Sequence, residues 1–342
     1  MQNWRYFKGS LLVTVLGLIA GYFYGFYFYG TVSGALKTVF LVAILTVLEI
    51  SLSFDNAVVN ATILRKMTDL WRQRFLTWGI AIAVFGMRLV FPLAIISIVA
   101  HLNPYEALML AATQPLEYER IMKSVHIEIG AFGGFFLLMV CLKYFFDASK
   151  EVHWIKLLET GLSRAGRIEA IEIVIALIAL VGASRFLQPH DREVFLIAGL
   201  IGIIIFIVVE GIGDLLQISE DVMADAQKAS AMMFVYLELI DASFSLDGVI
   251  GAFALTNNLF IIAIGLGVGA MFVRSLTILL VEQGTLSKYK YLEHGAFYAI
   301  GSLAVLMVVN TFRNIPEAVT GLIGAAFIGL SLMASRIELK KR

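Results

Sequence analysis

A single cysteine and five prolines stand in a chain of 342 residues. The lone Cys141 excludes an intrachain disulfide framework and any multi-cysteine metal site. Set in an apolar run, it reads as a packed core residue rather than a reactive thiol. Charge is scarce too: Asp, Glu, Lys and Arg make up 15% of the chain, where soluble domains carry about 25%. The 26 basic and 26 acidic residues cancel, and no basic run offers a surface for nucleic acid. What fills the chain instead is apolar, 60% of residues, with a mean hydropathy of +0.87. That composition excludes an ordinary soluble enzyme.

A bilayer core about 30 Å thick takes roughly 20 apolar helical residues to cross. Ten runs of this kind lie between charged clusters, near 10–30, 36–63, 75–100, 126–146, 168–186, 193–211, 229–256, 258–281, 293–311 and 316–335. They predict an all-α polytopic protein of about ten transmembrane helices, one integral membrane domain over 1–342. The first run exceeds a signal-peptide core and lacks a small-residue cleavage pattern, so a retained helix is expected. Lys and Arg divide eighteen to six in favour of the segments on the side of the termini. That bias predicts cytoplasmic termini, in what is expected to be a bacterial inner (plasma) membrane. The stretch "GYFYGFYFYG" (21–30) reads as an aromatic belt near the outer interface.

Against this background two acidic stretches stand out, "LEISLSFDNAVV" (48–59) and "IDASFSLDGVI" (240–250). Aligned, they pair Glu49 with Asp241, Ser51 with Ser243, Ser53 with Ser245 and Asp55 with Asp247. The likeness continues: "FGMRLVFPL" (85–93) resembles "MFVRSLTIL" (271–279), pairing Arg88 with Arg274, and "EIGAF" (128–132) resembles "EHGAF" (293–297), pairing Glu128 with Glu293. Three matches in one order predict two copies of a three-helix unit: repeat 1 over 36–146 and repeat 2 over 229–311. Connecting helices and inner loops fill 147–228, and a last helix with a basic tail fills 312–342. The second copy starts five spans after the first. An odd offset reverses direction, so the repeats are inverted, an arrangement that places sites near the bilayer midplane.

An acid at the centre of a membrane helix costs about 2.5–3.5 kcal/mol on insertion scales and faces a bundle interior or a wet cavity. Glu49, Asp55, Asp241 and Asp247 against Arg88 and Arg274 leave a deficit of two charges. Shared protons would remove that deficit; a divalent cation would match it directly. Positions six apart on an unbroken helix diverge by about 120°, so Glu49 and Asp55 would not share a face. Ser53 and Asn56 stack with Glu49, Ser51 stacks with Asp55, and Glu238 lies three before Asp241. Serine hydroxyls that rebond to backbone carbonyls bend membrane helices, so a locally unwound segment is expected, eased in the second copy by Gly248 and Gly251. Carboxylates, the four serine hydroxyls and the amides of Asn56 and Asn60 are hard oxygen donors, suited to manganese, calcium or magnesium. No permanent cofactor is expected; the metal ion is the substrate. His126 and His294 flank Glu128 and Glu293, a secondary candidate for a proton relay or metal site, with ordinary helix-end polarity as the plainer reading.

At these motifs the chain resembles the TerC family of integral membrane proteins, named for tellurium resistance. Glu49 to Asn56 looks like that family's first acidic motif, ending in Ser-x-Asp-Asn. Asp241 to Asp247 looks like its second, Asp-x-x-Phe-(Ala/Ser)-x-Asp. That motif runs on through Ser-Ile-Pro-Ala in the family and through Gly248, Val249, Ile250 and Gly251 here, the mark of a divergent branch. The resemblance implies divalent-cation transport, chiefly manganese efflux, with Glu49, Asp55, Asn56, Asp241 and Asp247 as the metal-binding positions. It implies no enzyme activity. The tellurium name suggests oxyanion handling, but an acid-rich midplane repels an anion.

Two other readings compete. A membrane scaffold would recruit soluble stress-response proteins to the inner loops at 147–167 and 212–228, its other partners being membrane lipids. An intramembrane aspartyl protease would use the Gly-x-Gly-Asp pattern at Gly211–Asp214, but a helix-terminal glycine turn explains four such residues as well.

Overall fold

The computed structural model describes residues 2–79, 81–215, 222–253 and 255–341, and every regular element among them is helical. After a 3-10 turn at Gln2–Phe7 come α1 (Lys8–Tyr29), α2 (Val32–Leu52), α3 (Phe54–Leu64) and α4 (Asp69–Arg74). Two π-helical stretches follow, Phe75–Gly79 and Ile82–Val90, and then α5 (Phe91–Val99), α6 (Pro104–Thr113), α7 (Pro115–Ser124) and α8 (His126–Phe146). The second half holds α9 (Lys156–Ala165), α10 (Ile171–Ser184), α11 (Pro189–Leu215) and α12 (Val222–Ala252). It ends with α13 (Leu259–Glu282), α14 (Thr285–Lys288), α15 (Leu292–Asn310) and α16 (Glu317–Lys341). The protein is a polytopic all-α integral membrane protein.

The ten apolar runs coincide with helical segments, but the described helices long and apolar enough to span number seven. An eighth is formed if Asp69–Gly79 and Val84–Val99, which meet at 45°, make one bent span. The other two runs differ for separate reasons. The run at 168–186 yields α10, only 14 residues long and too short to cross a full bilayer untilted. The run at 229–256 lies in α12, which is long enough at 31 residues and carries Glu238, Asp241 and Asp247; it is not among the described helices that qualify.

Lipid tails offer helices no hydrophobic drive to associate, so close packing and interhelical hydrogen bonds must do so. On α8, Gly134 shows how: a methyl there would lie 3.2 Å from the Ala304 carbonyl oxygen and 2.8 Å from Val308 of α15. Further along, Cys141 meets Gly301, and the Tyr144 ring stacks on Phe297 at 3.7 Å. Numbers rise on α8 as they fall on α15, so this pair is antiparallel. Helices α2 and α13 instead run parallel: Leu45 lies against Gly265 and Glu49 against Gly269. Thr46 Oγ1 locks them by donating to the Gly265 carbonyl at 3.0 Å. Also parallel are α12 and the π-helical stretches, Glu238 lying beside Gly79 and Ser245 beside Met87. The main core, with Phe135, Phe136, Phe195 and Phe206 at its centre, fills the space among α8, α11, α12 and α15. Helix α1 stays at the edge, with Phe23 and Tyr27 exposed, as an aromatic belt would be.

Candidate functional site

The first acidic stretch breaks where its serines are. Helix α2 stops at Ser53 (φ −103°, ψ 18°), and α3 restarts at Phe54. Ser51 Oγ rebonds to the Val47 carbonyl at 2.8 Å, while Ser53 Oγ donates to Glu49 Oε1 at 3.0 Å. The expected unwinding is therefore real in the first copy. In the second it does not occur: α12 runs unbroken through Asp241, Asp247 and Gly251. There Ser243 Oγ donates to its own helix's Leu239 carbonyl at 3.0 Å, and Ser245 Oγ turns outward to the Met87 carbonyl at 3.4 Å. Ser243 thus rebonds as Ser51 does, and the helix stays closed; the difference lies at the second serine of each motif, Ser53 bonding Glu49 of its own helix and Ser245 a neighbouring segment.

Arg88 reaches the site from the second π-helical stretch, where the Phe91 N–H donates to the Gly86 carbonyl five residues back. Pro92, which has no N–H to give, comes directly after. Such widened turns recur at functional sites. The guanidinium of Arg88 donates to Glu49 Oε1, both side chains being almost wholly buried. Gly269 makes room for this pair; a methyl there would sit 2.5 Å from Glu49 Cβ.

Restarting the helix at Phe54 puts Asn56 and Asn60 four residues apart on one face of α3. Asn60 Nδ2 donates to Asp241 Oδ1 at 3.0 Å, and all three side chains are buried. They border a cavity of about 40 Å³, together with Arg88, Arg274 and Thr277. One water or one ion needs roughly 10–15 Å³ of such space. Among the described residues Asn60 Oδ1, both carboxylate oxygens of Glu238 and Nε of Arg274 are buried without a hydrogen-bond partner. Each such group costs about 1–3 kcal/mol. Glu238 lies beside Gly79, a residue of the cavity lining, where a methyl would be 3.1 Å from Oε1. The lining thus sets one carboxylate, Asp241, and two carboxamides beside two guanidinium groups, and the Asn60 oxygen and the Glu238 carboxylate are the acceptors left over among the described residues.

The structure thus brings Glu49, Arg88, Asn56, Asn60, Asp241 and Arg274 together. The side chains of Asp55 and Asp247 lie outside the described residues. So do residues 216–221 of the expected acidic loop and the side chains of 212–225, Asp214 among them. Among the described residues no three His, Cys, Asp or Glu side chains converge as a metal cluster. The described donor set is carboxylate and amide.

The secondary candidates separate. Antiparallel packing of α8 and α15 puts His126 and Glu128 at one end of the pair and Glu293 and His294 at the other. Glu293 takes an ion pair from Arg65 at 2.6 Å. His126, exposed, bonds the Lys123 carbonyl at 2.8 Å. His294 is buried, with Nδ1 2.9 Å from Glu159 Oε2.

Glu159 went unmarked in the sequence. On α9, it is 1% exposed and accepts from the N–H groups of Trp154 and Ile155, both at 3.1 Å. Lys150 Nζ and the Tyr298 hydroxyl, each at 3.2 Å, complete the set. Burial works against its charge, but the hydrogen bonds from His294 and the Ile155 N–H prevail and hold its carboxyl at about 2. Burial likewise pulls the Lys150 ammonium down, against the attraction of Glu159. No local sequence signal marks Glu159, because its partners His294 and Tyr298 are far along the chain.

Similarity to known proteins agrees with a membrane protein. Over 109 residues the chain is 29% identical to the uncharacterized membrane protein YceF of Bacillus subtilis (strain 168), an alignment taking in 32% of this chain and 42% of that relative. No solved structure matches the chain. A family described as protein of unknown function, DUF475, matches residues 54–342, which include the second half of the broken motif, both arginines and all of the second motif. The chain belongs to the DUF475 family.

Proposed function

We propose that the protein exports a hard divalent cation, manganese first and calcium or magnesium next, through the site between α3 and α12. One observation carries this reading: Asp241, Asn56 and Asn60 line a buried cavity with Arg88 and Arg274, and the Asn60 oxygen there and the nearby Glu238 carboxylate lack a hydrogen-bond partner among the described residues. The Arg88–Glu49 pair beside it cancels one acid without filling the cavity. Asp55 and Asp247 would add the remaining charge. The ion is substrate, not resident cofactor, and the reading assigns no catalytic residue.

Helix directions support an inverted repeat over 36–146 and 229–311. The first motif helix, α2, lies parallel to α13 of the second copy, and the second motif helix, α12, lies parallel to the arginine-bearing stretch of the first. The third helices, α8 and α15, are antiparallel. A two-fold axis in the membrane plane exchanges each of these contacts with its counterpart, which is what alternating access by rocking one copy against the other requires. Carboxylates that release a metal in a dry site gain protons, so proton exchange is the natural coupling. The TerC resemblance points the same way, and the Lys and Arg bias favours a bacterial inner membrane with both termini cytoplasmic. The scaffold reading has one observation in its favour: Leu157 and Leu158 of α9 are exposed at the loop face.

The test is metal accumulation in cells lacking the chain, carrying it, or carrying Asp55→Asn, Asp241→Asn or Asp247→Asn at equal membrane levels. The parent should lower cellular manganese and all three variants should fail to. Variants that export at the parental rate would make the acids structural.

A further inference from the structure

A second, much larger cavity, about 510 Å³, opens on the face that carries the Lys- and Arg-rich loops. Its wall includes Thr62 and Ile63 of α3 and Met233 and Tyr236 of α12, the two helices that build the small site. Helices α8, α11 and α15 add Val140, Phe206 and Phe297. Its wall draws on both repeats and on the α10–α11 segment between them.

Position along the helices links the two cavities. At 1.5 Å per residue, Ile63 lies about 4.5 Å beyond Asn60, and Tyr236 lies about 7.5 Å before Asp241. Glu238 falls between Tyr236 and Asp241 on the same helix, its carboxylate oxygens buried and unpartnered among the described residues. Tyr236 itself is in ring contact with Phe136 and Phe206, at 6.3 Å each. The mouth is charged: Lys143 of α8 and Glu210 of α11 pair across it at 2.9 Å, and Lys66, Asp147 and Glu172 line it. Three acids against two lysines leave the mouth negative, which raises the local concentration of cations.

We propose that this cavity is the inner access route of the cation, a vestibule that admits a hydrated divalent ion as far as Tyr236, behind which Glu238 and Asp241 receive it. Tyr236, wedged against Phe136 and Phe206, closes the passage between vestibule and site. The assignment rests on the transport reading above and adds to it a path, a gate and the side from which the ion enters.

Cysteine substitution tests it. Ala229→Cys and Met233→Cys place thiols at two depths of the wall, and the parent, whose Cys141 is buried, is the unlabelled control. A membrane-impermeant charged thiosulfonate should label both positions in vesicles that expose the loop face, and neither in vesicles of opposite orientation. Labelling at Met233→Cys should cut manganese flux at least tenfold. Absence of labelling from the loop face, labelling from the opposite face, or full flux after complete labelling would each overturn the route. A parent with no manganese flux at all would sink the transport reading, and this one with it. Failure of the route alone shows as normal flux through labelled protein. Tyr236→Phe keeps the ring and should leave an Asn60→Cys thiol protected from the reagent, whereas Tyr236→Ala should let the reagent reach it; equal protection in both would remove the gate.

Discussion

Two buried carboxylates of this protein live in opposite circumstances. Glu159, on α9, is met on every side: two backbone N–H groups, a lysine, a tyrosine and a histidine converge on it. Asp241, in the bundle, is hydrogen-bonded by Asn60, at 3.0 Å, and by Asn56, with an open cavity beside it and Glu238 nearby, unpartnered among the described residues. A fully satisfied buried charge holds a structure together, here the loop after α8 against α15. A buried charge left short of donors costs stability, and a protein that keeps one has a use for it. The same residue type thus marks a fastener in one place and a binding site in the other.

Charge neutralisation inside the bundle should carry the largest stability effect. Arg88→Met leaves Glu49 buried without its cation, and breaking such a pair costs about 3–5 kcal/mol. The detergent-solubilised variant should show a large fall in melting temperature, or accumulate poorly in the membrane. Melting as the parent does would mean that Glu49 has another partner of equal strength.

Next comes the fastener. Glu159→Gln keeps the shape but loses charge-assisted hydrogen bonds worth roughly 1.5–3 kcal/mol each at most. Its melting temperature should fall while manganese export persists. The carboxyl of Glu159 is lowered from 4.5 to about 2 in the folded protein. Its contribution is therefore complete above pH 4.5 and fades as the pH drops toward 2. Across that window the parent should lose stability and Glu159→Gln should lose less. Parallel curves would remove Glu159 as the source.

Smallest of all should be Arg65→Met. The Arg65–Glu293 pair is partly exposed, and such pairs are worth under about 1 kcal/mol. A shift as large as that of Arg88→Met would show that the α3–α15 contact at the loop face is much drier than its exposure implies.

The fold was legible in the sequence because lipid imposes length and hydropathy on every span, and the ten apolar runs all became helical. Among the described residues seven helices, or eight with the bent pair, qualify as spans, and α12, which carries the three acids, is not among them. Half of the motif's local geometry was legible as well. Serines announced a break, and Ser53 provides one, but nothing in Ser243 and Ser245 said that α12 would stay unbroken, with Ser245 bonded to Met87 of a neighbouring segment. Asn60 was within reach of sequence reasoning through its four-residue spacing from Asn56. Glu159 was not, since its partners Tyr298 and His294 lie more than a hundred residues away.

The central claim is that the cavity beside Asp241 binds a hard divalent cation, and direct titration tests it. Purified protein in detergent, titrated with manganese and followed by the loss of the free-ion paramagnetic signal, should bind saturably. Asp241→Asn, at unchanged melting temperature, should bind at least tenfold more weakly, and zinc should compete less well than calcium for an oxygen-only site. Equal manganese binding by parent and Asp241→Asn would contradict the account.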